Sequence, residues 1–220
     1  MNQDWFTRIE QDTIDQTYLD NMVTATKYFI DWWRFQTVPY QDMLIGMHRI
    51  VARGYSGYTN THREKIYVVR SKFRGDVGNV WYPILKKDWY KVTHTAKIIR
   101  PRVKHVPPDK SHWLDNEEDG YVLHLPHEKH VRMYVELMEV LMLRLKQGVC
   151  LTTLANYMNL FVIGHPFERI NYSICMAQIN AILWLNGYEP MLHDYMDFKC
   201  FLFDSDIIEK HFISRVKSKG

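Results

Sequence analysis

The stretch that constrains this chain most is Gly164-His165-Pro166-Phe167-Glu168-Arg169-Ile170-Asn171-Tyr172-Ser173 together with the apolar run after it, Ile174 to Asn186. A polar decapeptide leads into a segment of isoleucine, leucine, methionine, alanine and tryptophan that Gly187 closes. Such a run reads as a helix too apolar to lie on a surface, entered through a loop. The start of a helix attracts anions, because its first amides have no partner within the helix and its dipole is positive there. A histidine a few residues upstream stands beside anything held at that end.

The rest of the 220-residue chain reads as mainly helical. Residues from about 13 to 36 carry apolar side chains at three-to-four spacing, from Ile14 through Met22 and Phe29 to Trp33, with Asp12 or Thr13 as cap. Pro39 suits the first position of a second helix that runs to Val51, with Gly54 as its stop. A third helix is expected from Pro126 to Gln147. Its inner face takes in Val131, Tyr134, Val135, Leu137, Met138, Val140, Leu141, Met142 and Leu145. A fourth covers residues 152 to 161, and a last one runs from Ser205, as its cap, to about Lys217. Between Gly54 and Pro108 the pattern changes to β-branched and aromatic clusters, Ile66-Tyr67-Val68-Val69 and Val80-Trp81-Tyr82. Phe73, Arg74 and Gly75 lie in the glycine-rich tip between them. That spacing predicts a β-hairpin. A further extended piece is expected over residues 95–99. The basic run Arg100 to His105 and the acidic run Asp115 to Asp119 read as solvated loops, with a phosphate-facing role the alternative for the basic one.

Composition narrows the function classes. A net charge of +3 does not point to nucleic acid, and no apolar run is long enough to span a membrane. The N-terminus lacks the pattern of a signal peptide. Cys150, Cys175 and Cys200 form no metal-binding spacing and read as buried reduced thiols. These features suggest a cytoplasmic protein, or one translocated into another cell's cytoplasm. His124, His127 and His130 with Glu128 are a solvated helix start rather than a metal cluster, since only His127 and His130 share a helical face. His193, Asp194 and Asp197 read as a polar surface turn.

His165-Pro166-Phe167, with Asn171 four residues further on and the buried helix behind it, resembles the signature of the Fic/Doc family. That signature is His-Pro-Phe, any residue, Asp or Glu, Gly, Asn, Gly, Arg, and a second Arg three residues on. The resemblance covers roughly residues 39 to 190 and takes in the two preceding helices and the hairpin, which is similar to the family's target-clamping flap. It implies one Fic/Doc-like domain over residues 1–220, mainly α with a small β-hairpin flap. It also implies a histidine base, here His165, and an anion-hole asparagine, here Asn171. The hydroxyl of a protein or small-molecule acceptor would attack a phosphate of a nucleotide-like donor, as in AMPylation. Phe73, Arg74 and Gly75 would hold the target.

This chain departs from the signature at several positions. Arg169 replaces the acid that holds magnesium, so no metal is expected, and Arg169 itself could pair with a phosphate oxygen. Ile170 and Tyr172 replace the two glycines, and Ser173 and Met176 replace the two arginines. Isoleucine is poor at the positive φ that glycine allows. Glu168 fills the variable position. With Arg169, Tyr172 and Ser173 it makes up the candidate donor site. Two functions follow: a divergent transferase with a non-standard donor, or a Fic-like module that has lost chemistry and binds a protein partner through flap and pocket. Ser205 and Glu209 resemble the family's inhibitory motif, but Met176 stands in place of the arginine such a glutamate would pair with, so Glu209 reads as a surface charge.

Overall fold

The structure is a computed structural model that describes residues 16–53, 81–85, 103–106, 120–124, 130–167, 170–192, 196–202 and 204–219. It is mainly helical. Helix α1 (Gln16–Phe35) buries Leu19, Met22, Ala25, Thr26, Phe29, Ile30 and Trp32, the stripe that its three-to-four spacing sets. It ends where Gln36 turns to φ 47° and donates its amide to the Trp32 carbonyl at 2.8 Å. The Trp32 indole N–H donates to the Val38 carbonyl at 2.7 Å, which fixes the corner. Pro39 is the N-cap of α2 (Tyr40–Val51) rather than its first residue, with extended φ and ψ of −54° and 152°. Its carbonyl accepts from Met43 at 3.0 Å.

Three short strands follow, β1 (Trp81–Leu85), β2 (Val103–Val106) and β3 (Gly120–His124). They form an antiparallel sheet in the order β1-β3-β2, with Trp81 opposite His124 and Val103 opposite Leu123. Among the described residues β1 pairs with β3 alone, so the missing amide of Pro83 breaks no second ladder there. The tip of the expected hairpin, Phe73, Arg74 and Gly75, and its first arm lie outside the described residues. Trp81–Leu85 includes most of the expected second arm. Its neighbour among the described residues is β3, a pairing across more than thirty residues that local periodicity does not reveal. Val103–Val106 is a strand although its charges read as a solvated loop; the β-branched valines at its two ends suit a ladder.

The remaining helices are α3 (Val131–Gln147), α4 (Leu151–Gly164), α5 (Asn171–Leu185), α6 (Met196–Leu202) and α7 (Ser205–Arg215). Helix α4 is the hub. It packs against α3, α5, α6 and α7, while α1 packs on α2 and α5. Leu137 and Val140 do not belong to the inner face of α3; both are exposed on the side opposite Val135, Met138 and Met142. Asp204 rather than Ser205 is the N-cap of α7, and Asp197 is buried on α6 instead of lying in a surface turn. Cys150 is exposed at the N-cap of α4, whereas Cys175 and Cys200 are buried. The backbone amides of Thr153 and Thr152 beside the Cys150 thiol lower its pKa, and burial raises those of the other two.

At the α3–α4 contact Gly164 lies so close to Tyr134 that an added Cβ would sit 2.9 Å from the tyrosine's Cβ, Cγ and Cδ1. Those atoms cannot swing away as a side-chain tip could. Gly164→Ala is therefore expected to destabilise the fold by about 1–3 kcal/mol, measured by urea denaturation against wild type.

Candidate functional site

The site is built at the junction of α4 and α5. Helix α4 ends at His165, whose φ and ψ of 44° and 61° place it in the left-handed region and whose amide donates to the Phe161 carbonyl at 2.9 Å. A left-handed residue after the last turn reverses the chain, a position usually given to glycine or asparagine. His165 is partly buried. Pro166 and Phe167 follow. Ile170 is the N-cap of α5, also left-handed, with φ 66° and ψ 8°. It occupies the place at which the resembled signature has a glycine. A β-branched residue held there stores about 1–3 kcal/mol of backbone strain. The sequence argument against Ile170 at positive φ is thus overruled by its surroundings.

What holds the loop is Asn171. Its Oδ1 accepts from the Phe167 amide at 2.7 Å, and its Nδ2 donates to the Phe167 carbonyl at 2.8 Å. Both ends of the carboxamide are spent on one backbone residue, so the chain from Phe167 to Asn171 is closed like a ring. These two bonds let the Asn171 carboxamide shape the loop. The first intrahelical bond of α5 is Ile174 N–H to the Ile170 carbonyl at 3.1 Å, so the amides of Asn171 and Ser173 lie ahead of it. Two peptide units, at most about 7 Å of chain, separate His165 from Phe167.

The Phe167 ring is fully buried and lies against the His48 imidazole of α2, with ring centroids 4.2 Å apart and planes 21° from parallel. His48 is itself fully buried, and it is the site residue that sequence reasoning missed. A signal for it existed. Position 48 falls on the stripe of Tyr40, Met43, Leu44, Met47 and Val51 that α2 turns inward. Tyr172 and Ser173, expected to face a donor, are buried in the first turn of α5 at 5% and 6% exposure. Glu168 and Arg169 lie outside the described residues.

Behind the loop, α5 is tied by a buried polar chain. Tyr157 of α4 donates its hydroxyl to Gln178 Oε1, which leaves its oxygen to accept from Tyr40 at 2.8 Å. Gln178 Nε2 points at the sulfurs of Met47 and Met43, 3.2 and 3.9 Å away. Burial pushes the pKa of both tyrosines well above the ordinary phenol value. Further along, Asn180 clasps Met191 as Asn171 clasps Phe167. Asn180 Nδ2 donates to the Met191 carbonyl at 3.0 Å, and the Met191 amide donates to Asn180 Oδ1 at 2.8 Å.

Glu209, the glutamate of the inhibitory-like motif, accepts a hydrogen bond from Thr152 at 2.8 Å. Thr152 stands in the first turn of α4 and His165 at its end, about 20 Å apart at 1.5 Å per residue. Glu209 is therefore remote from His165. It is a partly buried tie between α7 and α4 rather than a plain surface charge.

No protein-family model matches this sequence, and no curated protein matches it. No helix among the described residues is long and apolar enough to cross a membrane.

Two tests probe the junction. Glycine relieves the strain at residue 170 but forfeits the packing of Ile170 on the core, whereas alanine forfeits the packing and keeps the strain. Ile170→Gly is expected to be less destabilising than Ile170→Ala by about 1 kcal/mol, a reversal of the usual order for the two residues, read from thermal melts. Tyr157→Phe strands the Tyr40 hydroxyl and the Gln178 carboxamide, at a cost of about 1–3 kcal/mol. The raised pKa values of Tyr40 and Tyr157 mean that the folded state holds their protons more tightly than the unfolded state. The stability they contribute is complete below about pH 10 and decays as pH rises beyond it. An ultraviolet phenolate titration should show a class of tyrosines that ionises only as the protein unfolds in alkali.

Proposed function

We propose that this chain is a divergent Fic-type transferase that moves a nucleotidyl, phosphoryl or related phosphate-linked group onto a hydroxyl acceptor. The observation that carries the reading is the left-handed Ile170 between His165 and the buried α5. The backbone keeps a glycine-like conformation at the signature's glycine position even though the residue there resists it. His165 acts as general base. It takes the proton of the acceptor hydroxyl, the oxygen attacks phosphorus, and the bond from phosphorus to the donor's leaving oxygen breaks. The leaving group departs with the electron pair. The amides that open α5 hold the non-bridging oxygens, with Asn171 setting the loop that presents them. Arg169 supplies the positive charge in place of a metal, which favours a donor smaller or less charged than a magnesium-bound triphosphate.

A second reading, a binding module without chemistry, draws on Tyr172. Its ring is buried in the first turn of α5, where a pyrophosphate would need to approach the backbone.

The deciding experiment incubates the purified protein with candidate acceptor proteins and a panel of donors. The panel comprises nucleoside triphosphates, nucleoside diphosphates linked to small groups, and phosphate monoesters, with intact-mass detection. Transfer by wild type that falls at least about a hundredfold in His165→Ala is expected. Equal transfer by the variant refutes the base assignment. Acceptor binding without any mass change across the panel selects the binding module.

A further inference from the structure

We propose that the contact between α6 and α7 is a proton-operated latch, closed while the His211 imidazole is neutral and opened by the proton that His211 takes up in mild acid. Lys199 of α6 and His211 of α7 meet with Nζ and Nε2 2.8 Å apart. A gap of that length has room for one hydrogen. A lysine ammonium carries only donors, and so does an imidazolium. The contact therefore exists only while one of the two groups is uncharged. Lysine is by far the stronger base, so its ammonium donates and the neutral imidazole accepts, with the ring's own proton on Nδ1. A second proton on the ring would aim an N–H at the ammonium across a hydrogen-bond length. It would also set two like charges side by side where both residues are partly buried.

The surroundings favour the neutral ring. Helix α4, which packs on both α6 and α7, brings no charged side chain, and its Tyr157 hydroxyl is engaged with Gln178 and Tyr40. On α6 the other titratable groups are Asp197 and Cys200, both buried. On α7 they are the N-cap Asp204, then Asp206, Glu209, Lys210 and Arg215. Arg215 stands one turn beyond His211 on the same side of the helix and adds a further cation. Glu209 turns its carboxylate to Thr152 of α4 at 2.8 Å. Burial, and after it the Lys199 charge, lower the pKa of His211, and burial lowers that of Lys199. A histidine whose folded-state pKa is lowered contributes its stability in full above the ordinary histidine value of about 6.5, and that contribution is lost as the pH falls through the folded-state value. Helix α7 is held by Ile208 and Phe212 in the core, by Glu209 on Thr152 and by His211 on Lys199. Of these the last turns on a side chain that changes charge between about pH 5 and 8. Its loss loosens the second half of α7.

The test compares the full-length wild type with His211→Gln, whose carboxamide oxygen can accept from Lys199 and does not titrate. Amide hydrogen exchange is followed in both proteins at about pH 7.5 and about pH 5. Comparison at equal pH cancels the intrinsic pH dependence of exchange. The protection of residues 207–215 in wild type relative to the variant should fall about tenfold from the higher pH to the lower, while the same ratio for α1 stays constant. The proton itself is read by a histidine NMR titration. The His211 signal should titrate below the free-histidine range, and Lys199→Met should move it upward. A protection ratio for α7 that does not change with pH would overturn the proposal. So would a His211 signal at or above the free-histidine range, or one that Lys199→Met leaves in place. If His211→Gln does not fold, Lys199→Met takes its place in the exchange comparison: a smaller acid loss of α7 protection than in wild type supports the latch, and an equal loss refutes it.

Discussion

Every residue of α5 from Asn171 to Leu183 is buried, and the structure follows from what that demands. A helix enclosed on all sides satisfies its own backbone but must find partners for each polar side chain it carries, since an unbonded buried amide costs about 1–3 kcal/mol. Asn171, Gln178 and Asn180 meet that demand in three directions. Asn171 binds the chain before the helix, Gln178 binds the tyrosine of α4 and the methionines of α2, and Asn180 binds the chain after the helix. The candidate site is one end of this system. The loop from His165 to Ile170 is shaped by the carboxamide of Asn171 and weighted from behind by the Phe167–His48 contact.

The same logic explains how the chain tolerates a strained Ile170. Closure by Asn171, the buried Phe167 ring and the packing of Ile170 on the core jointly over-determine the backbone, so the local preference of one residue is outvoted. The other end of α5 is held more simply. Lys219 donates to the Trp184 carbonyl at 3.0 Å and lies over its ring, a cation at the negative end of the helix dipole. The Glu189 and Lys219 amides bond the Lys217 and Gly187 carbonyls at 2.8 and 2.9 Å, which brings the end of the described chain back to α5.

Much of this was legible in the residues. Periodicity found α1, α2, α3, α4 and α7 and recognised α5 as interior, because a run with leucine, isoleucine and methionine on every side has no face to give to water. It misplaced Leu137 and Val140, since α3 carries apolar residues on two sides and the spacing does not say which of them meets the core. It missed α6, a helix of 7 residues too short to show a period. It also missed β3, whose pairing joins segments far apart in the chain. Within the site, the histidine at a helix end and the asparagine at the next helix start could be read directly. The stacking of His48 on Phe167 could not, because it joins residues more than a hundred positions apart.

The sequence by itself determined that position 171 would be an asparagine at the mouth of a buried helix and that His165 would stand just upstream. Those are matters of order along the chain and of local hydrophobicity. The tertiary structure decided what they do. It turned the carboxamide of Asn171 inward to the Phe167 backbone, and it held Ile170 at φ 66°. Both outcomes arise because several packed elements converge on one loop, and the free energy of that convergence exceeds the intrinsic preference of any single residue.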